Sequence, residues 1–177
     1  LDNYKQIYSA LAQYVAEMNR SIVTVTGVSS GVDWFNNVNE SKNQSSGVII
    51  AQNGKQLLIL TDYSPVKQAD DIIVTFNKGI QAHASLKEKD ETTGLAVIAV
   101  ELDVLNEDFL KNDITIATLG SSNIRDIAGL PVVALGRPMG INGSLGYGII
   151  TSSASESAAS DTTYRILQTN IVGSQNA

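Results

Sequence analysis

The chain has 177 residues, 43% hydrophobic and 17% charged, enough apolar material for one medium domain or two small packed units, and this excludes intrinsic disorder. The net charge of −6 comes from interspersed acidic and basic residues with no Lys/Arg cluster, which argues against a nucleic-acid or anionic-membrane surface. Without Cys and with one His, the chain offers no disulfide scaffold, thiolate site or multi-histidine metal centre, and no apolar run reaches membrane-spanning length; no cofactor or metal is expected.

Residues 1–19 place Leu1, Tyr4, Ile7, Tyr8, Leu11, Tyr14, Val15 and Met18 at three- and four-residue spacing, which predicts an amphipathic helix. Its stripe is expected to pack inward on the domain that follows; a self-association seam or a stalk is the alternative. Because the chain starts at Leu1 rather than Met, a trimmed N-terminus is expected, with room for an upstream signal or membrane anchor. From Ser21 the period changes to two, and SIVTVTG reads as a strand. Residues 29–45, with the single Trp, read as a polar surface loop.

Strand-and-turn units follow. Two apolar runs flank Asn53-Gly54, a hairpin signal because Asn-Gly accepts the positive φ of a tight turn. A second pair turns at Asn77-Lys78-Gly79, and GLAVIAVEL reads as a buried strand. Residues 103–113 form a polar connection, and further strands are expected at 130–136, 144–152 and 163–169. Many short strands without alternating helices predict an all-β barrel or sandwich. The glycines from Gly136 to Gly148 lack a strand–GxGxxG–helix context and read as turn glycines.

Six segments, in order, resemble the HtrA-like branch of trypsin-type serine proteases: SSGVII at 45–50, LLILTDYSPV at 57–66, the run from 70 to 100, IRDIAGLPVVALGRPMG at 124–140, GSLGYGIITSS at 143–153 and ILQTN at 166–170. The match covers residues 21–177. It implies a two-barrel, chymotrypsin-type fold with a cleft between the barrels. The division it suggests is an N-terminal helix at 1–19, a first barrel with its connection at 20–125, and a partial second barrel at 126–177. Three visible strands in the second half, where the resemblance implies six, lead to the expectation that the rest of the same polypeptide completes that barrel.

A serine protease needs a nucleophilic hydroxyl, an imidazole to take its proton and a carboxylate to orient the imidazole. In the family register the imidazole position holds Ser64, which has no basic nitrogen, and the carboxylate position holds Gly94, which has no side chain. The loop of the nucleophile falls on Asn176 and Ala177, with the serine position at Ala177 or just beyond it. Asp62 and Glu91 lie beside these positions and are expected to be surface carboxylates. His83, in the strand IQAHASL, is expected to face outward from a strand whose Ala82 and Ala84 face inward.

The resemblance thus implies an inactive serine-protease homologue, extracytoplasmic, that binds a polypeptide or peptide or senses the cell envelope. The alternatives are an active endopeptidase with its nucleophile beyond residue 177 and a non-standard base, and a structural module that forms a homo-oligomer through residues 1–19.

Overall fold

A computed structural model describes residues 2–32, 38–121, 127–136, 144–159 and 162–171. An N-terminal helix, α1 (Asp2–Met18), leads through a single 3₁₀ turn into β1 (Ile22–Val32). Strands β2 (Val38–Gln52), β3 (Gln56–Asp62), β4 (Asp71–Thr75), β5 (Gln81–Asp90) and β6 (Leu95–Glu101) follow. These six close into an antiparallel barrel in the order β1–β2–β3–β6–β5–β4.

Period-two patterning explains the closure. Alternate residues of β3 (Leu57, Ile59, Thr61) and β4 (Ile72, Val74) are buried while their neighbours are not. The barrel centre consists of Val25, Ile49, Leu57, Ile59, Val74, Ile98 and Val100, all fully buried. Bulges at Ile49–Ala51 in β2 and Leu86–Glu88 in β5 supply local bending. The Asn53-Gly54 turn forms as expected, and Asn53 Oδ1 accepts from the amides of Lys55 and Gln56 at 3.1 and 2.9 Å.

Residues 29–45 are not the surface loop that their polarity predicts. Residues 29–32 and 38–45 are the arms of a long hairpin, with β1 and β2 in register from Ile22↔Val48 out to Val32↔Val38. Both faces of the arms meet solvent beyond the barrel, so backbone pairing persists where side-chain alternation has disappeared. Trp34 lies outside the described residues.

The connection at 103–113 also contains more structure than expected. Asn106 caps a short helix, α2 (Glu107–Asp113), by accepting from the amides of Asp108 and Phe109. Phe109 is driven against Phe76 edge-to-face, with ring centroids 5.8 Å apart, and Leu105 joins the same core. Together they plug one end of the barrel.

Helix α1 forms over the expected residues, but the described part of its stripe is not packed inward. Tyr14 and Met18 remain 62% and 53% exposed, and Leu11 and Val15 are half-buried. The C-terminal end of the helix borders a groove of about 470 Å³ shared with Ile22, Val48, Ile116 and Leu135. Too little of the helix touches the barrel for the described part of the stripe to be covered.

The second half forms a three-stranded antiparallel sheet in the order β7–β8–β9: β7 (Pro131–Gly136), β8 (Ser144–Ala159) and β9 (Thr162–Thr169). The strands lie where they were expected, although β8 runs on through a Ser/Ala stretch paired to β9. Leu145, Tyr147 and Ile149 alternate along one exposed face of β8. The chain is thus a β fold in which a closed first barrel is followed by an incomplete second sheet.

Candidate functional site

Position 64 lies just past the end of β3, and position 94 lies just before β6. Those strands are paired, with Asp62 opposite Leu95, and the Tyr63 amide donates to the Gly94 carbonyl at 2.7 Å. The fold therefore brings the two segments together, as a base and its orienting carboxylate would require.

The loop that carries Ser64 is fastened at both ends. At its start, the Ser64 amide donates to Asp62 Oδ1 at 3.1 Å and the Val66 amide donates to the Tyr63 carbonyl at 3.1 Å. Tyr63, Pro65 and Val66 are buried, whereas Ser64 is exposed. At its end, the Asp70 amide donates to the Val28 carbonyl at 2.8 Å. The Ser30 amide donates to Asp70 Oδ2 at 2.7 Å, and Ser29 Oγ donates to the Gln68 carbonyl at 2.8 Å. In the middle, the Pro65 carbonyl sits against Gly27 of β1, where a Cβ would lie 1.8 Å from the oxygen.

Gly94 has φ +71°, and a Cβ there would meet nothing within 4 Å. Space for a side chain exists, but the backbone is left-handed, a region that favours glycine.

The neighbouring carboxylates are engaged elsewhere. Asp62 caps the Ser64 amide. Glu91 binds Lys89 Nζ at 2.5 Å, and Lys89 also donates to the Tyr63 hydroxyl at 3.1 Å and lies 5.2 Å from the Tyr63 ring centre. Lys67 approaches the same ring at 5.9 Å. The hydrogen bond from Lys89, with the charges of Lys89 and Lys67, holds the Glu91 carboxyl below its ordinary value, which weakens it as a base. The hydrogen bonds to Glu91 and then Tyr63 raise Lys89, so it stays protonated near neutral pH and is not a base for Ser64.

His83 faces outward, as expected: Ala82 is buried, the imidazole is 79% exposed, and its Nδ1 lies 2.8 Å from Asp71 Oδ1. Asp71, not Ser64, is its partner. Asn176 and Ala177 lie outside the described residues. Where the segment leading to them begins, Asn170 Oδ1 accepts from the Ile149 amide at 2.7 Å, fixing that end to β8. The Lys89–Tyr63 and Gly27–Pro65 contacts were not found from the sequence, because their partners are 26 and 38 residues apart with no local pattern to announce them.

Comparison with known proteins settles the family. The profile of the trypsin-like peptidase domain matches residues 45–175. The chain belongs to this trypsin-like family. Among curated relatives it is 33% identical over 113 residues to a probable periplasmic serine endoprotease, DegP-like, of Halomonas elongata, covering 64% of this chain and 21% of that protein. It is 32% identical over 111 residues to the serine endoprotease DegS of Haemophilus influenzae, covering 62% of this chain and 28% of that protein. In solved structures, the HtrA-type protease AlgW with a decapeptide superposes with a TM-score of 0.69 at 22% identity, over 90% of this chain and 51% of that one. The chain is thus HtrA-like, and it spans about a fifth to a third of the length of these curated relatives.

Proposed function

We propose that this chain is the protease-fold part of a non-catalytic HtrA-like homologue that works outside the cytoplasm by binding polypeptide. The observation that carries the reading is the pairing of the Ser64 and Gly94 segments through the Tyr63–Gly94 hydrogen bond. It supports the register in which the imidazole and its carboxylate are both replaced. The nearby ionisable groups are tied up in caps and ion pairs, as described above. The functional division follows the chain: a helix at 1–19, a first barrel with its connection at 20–125, and a partial second barrel at 126–177.

Peptide binding is supported by the relative whose structure holds a decapeptide, and by the fold, since strand edges beside a cleft accept an extended peptide by β-addition. The extracytoplasmic location is supported by relatives described as periplasmic. The apolar face of β8 and the open β7–β9 sheet support completion of the second barrel by further strands of the same polypeptide. Self-association through the exposed stripe of α1 belongs to the same reading.

The deciding experiment exposes the full natural protein to a fluorophosphonate probe and to unfolded casein. No labelling and no cleavage are expected, because removing the imidazole of a serine hydrolase costs on the order of 10⁶ in turnover. Labelling at a rate typical of serine proteases would overturn the reading in favour of an active endopeptidase with a non-standard base.

A further inference from the structure

We infer that the outer edge of β2, in the long hairpin, is a self-association surface on which a second copy of this chain pairs antiparallel about a two-fold axis at Ser41. The two edges of the hairpin arm differ. On the β1 side the loop at 63–70 covers the edge: the Val28 carbonyl accepts from the Asp70 amide, and the Ser30 amide donates to Asp70 Oδ2. On the β2 side, pairing with β3 begins only at Gly47↔Thr61, so residues 40–43 run past the barrel. Glu40, Ser41, Lys42 and Asn43 are all exposed.

The backbone directions follow from the register. In an antiparallel pair, opposite residues either turn their N–H and C=O groups toward each other or both turn them away. Val28 and Ser30 turn theirs away from β2, and their partners across the hairpin are Lys42 and Glu40. The amides and carbonyls of Glu40 and Lys42 therefore point out of the β2 edge, and among the described residues no backbone group meets them there. Such a row is a template for another strand.

Charge decides which strand fits. Glu40 and Lys42 share one face and form an exposed ion pair, with Nζ 3.7 Å from Oε2. A two-fold axis must pass at a residue, since a half-step register would set outward-turned groups against inward-turned ones. An axis at Glu40 or at Lys42 sets two like charges directly opposite each other, which is destabilising. An axis at Ser41 sets Glu40 of each copy opposite Lys42 of the other, and each of these two pairs exchanges two backbone hydrogen bonds. The run Glu40-Ser41-Lys42 is thus complementary to itself. The pairing uses neither α1 nor the Ser64 and Gly94 segments, so it stands independently of the function proposed above.

The contact is small, so the association is weak, with Kd on the order of 100 µM. The test is sedimentation velocity of the full natural protein between about 1 and about 500 µM, with hydrogen exchange of the Glu40 and Lys42 amides at both ends of that range. Association that grows with concentration, and slower exchange of those two amides, are expected. Glu40→Lys and Lys42→Glu should each weaken the association at least about tenfold, because each sets two like-charge pairs across the axis. An equimolar mixture of the two variants should recover it, and so should the double variant Glu40→Lys/Lys42→Glu alone. Both side chains are exposed, so every variant should keep the wild-type melting temperature within a few degrees. No association over that range, association that leaves the two amides unchanged, equal association in either single variant, or no recovery in the mixture would each overturn the inference.

Discussion

Ser64 and Gly94 differ in how readily they can be reversed. Ser64 is exposed on a loop pinned at both ends, so an imidazole there would be held in place at little cost. Gly94 has open space around its missing Cβ but φ +71°, where a non-glycine residue costs about 1–2 kcal/mol, with Asp among the better tolerated. Gly94→Asp alone should therefore lower stability by about 1 kcal/mol in a urea titration. Combined with Ser64→His, it should bring an imidazole and a carboxylate into hydrogen-bond contact, read as a strongly downfield Nδ1 proton in the NMR spectrum that neither single variant shows. Gly27 is the stricter position. A methyl group there would collide with the Pro65 carbonyl, so Gly27→Ala should cost about 3 kcal/mol and shift the amide resonances of 64–70. The strands that flank Ser64 and Gly94 were legible because they carry strong local patterns. The Gly27 contact joins residues 38 apart, and only closure of the barrel creates it.

The carboxylates of the β5–β6 turn give a pH prediction at the same scale. Asp90 is held below its ordinary value, first by the hydroxyl of Thr93 and then by the Thr92 amide, and Glu91 is held low by Lys89. A carboxyl depressed by folding contributes stability above its unfolded titration range and loses that contribution as pH falls through the folded one. The turn should therefore weaken below about pH 4. Asp90→Asn and Glu91→Gln should each flatten the fall in urea midpoint between pH 5 and pH 3, each by a modest amount because the groups are exposed. A wild-type fall unchanged in both variants would show that the turn carries none of the acid sensitivity.

Among the elements, legibility followed burial. The strands that line the barrel announced themselves because one face is apolar and the other is not, and β3 and β4 alternate residue by residue. The arms of the β1–β2 hairpin carry no such signal, because they have no apolar face to bury and are held by backbone pairing and a few polar contacts. Helix α2 was missed for a different reason: seven residues give too few turns to show a period, and its signal is the Asn106 cap together with one buried side chain. Phe109 is that side chain, wedged against Phe76 at the barrel end. Phe109→Ala should cost about 3–4 kcal/mol, and Asn106→Ala about 1 kcal/mol, measured by urea unfolding. Helix α1 is the converse case, a strong pattern with little packing. Tyr14→Ala and Met18→Ala should change stability by no more than about 0.5 kcal/mol.

At the scale of the whole molecule, the two halves of one sequence are stabilised unequally. The barrel has no free edge, and its seven most buried side chains sit on five of its six strands, β1, β2, β3, β4 and β6. The β7–β9 sheet has two edges and shows Leu145, Tyr147 and Ile149 on an exposed face of its central strand. Unpaired edges and an uncovered apolar face lower the cost of local opening, so the second sheet should open without the barrel. In residues 1–177 alone, hydrogen exchange should divide into two tiers: amides of β3 and β6 exchanging only with global unfolding, and amides of β8 and β9 exchanging at least 100-fold faster, as about 3 kcal/mol of local difference implies. A dye that reports exposed apolar surface should bind the same chain and be displaced when further strands of the natural polypeptide are supplied. Equal protection of both sheets in residues 1–177 would mean that the three strands are already complete, and the proposed second barrel would then have no need of additional chain.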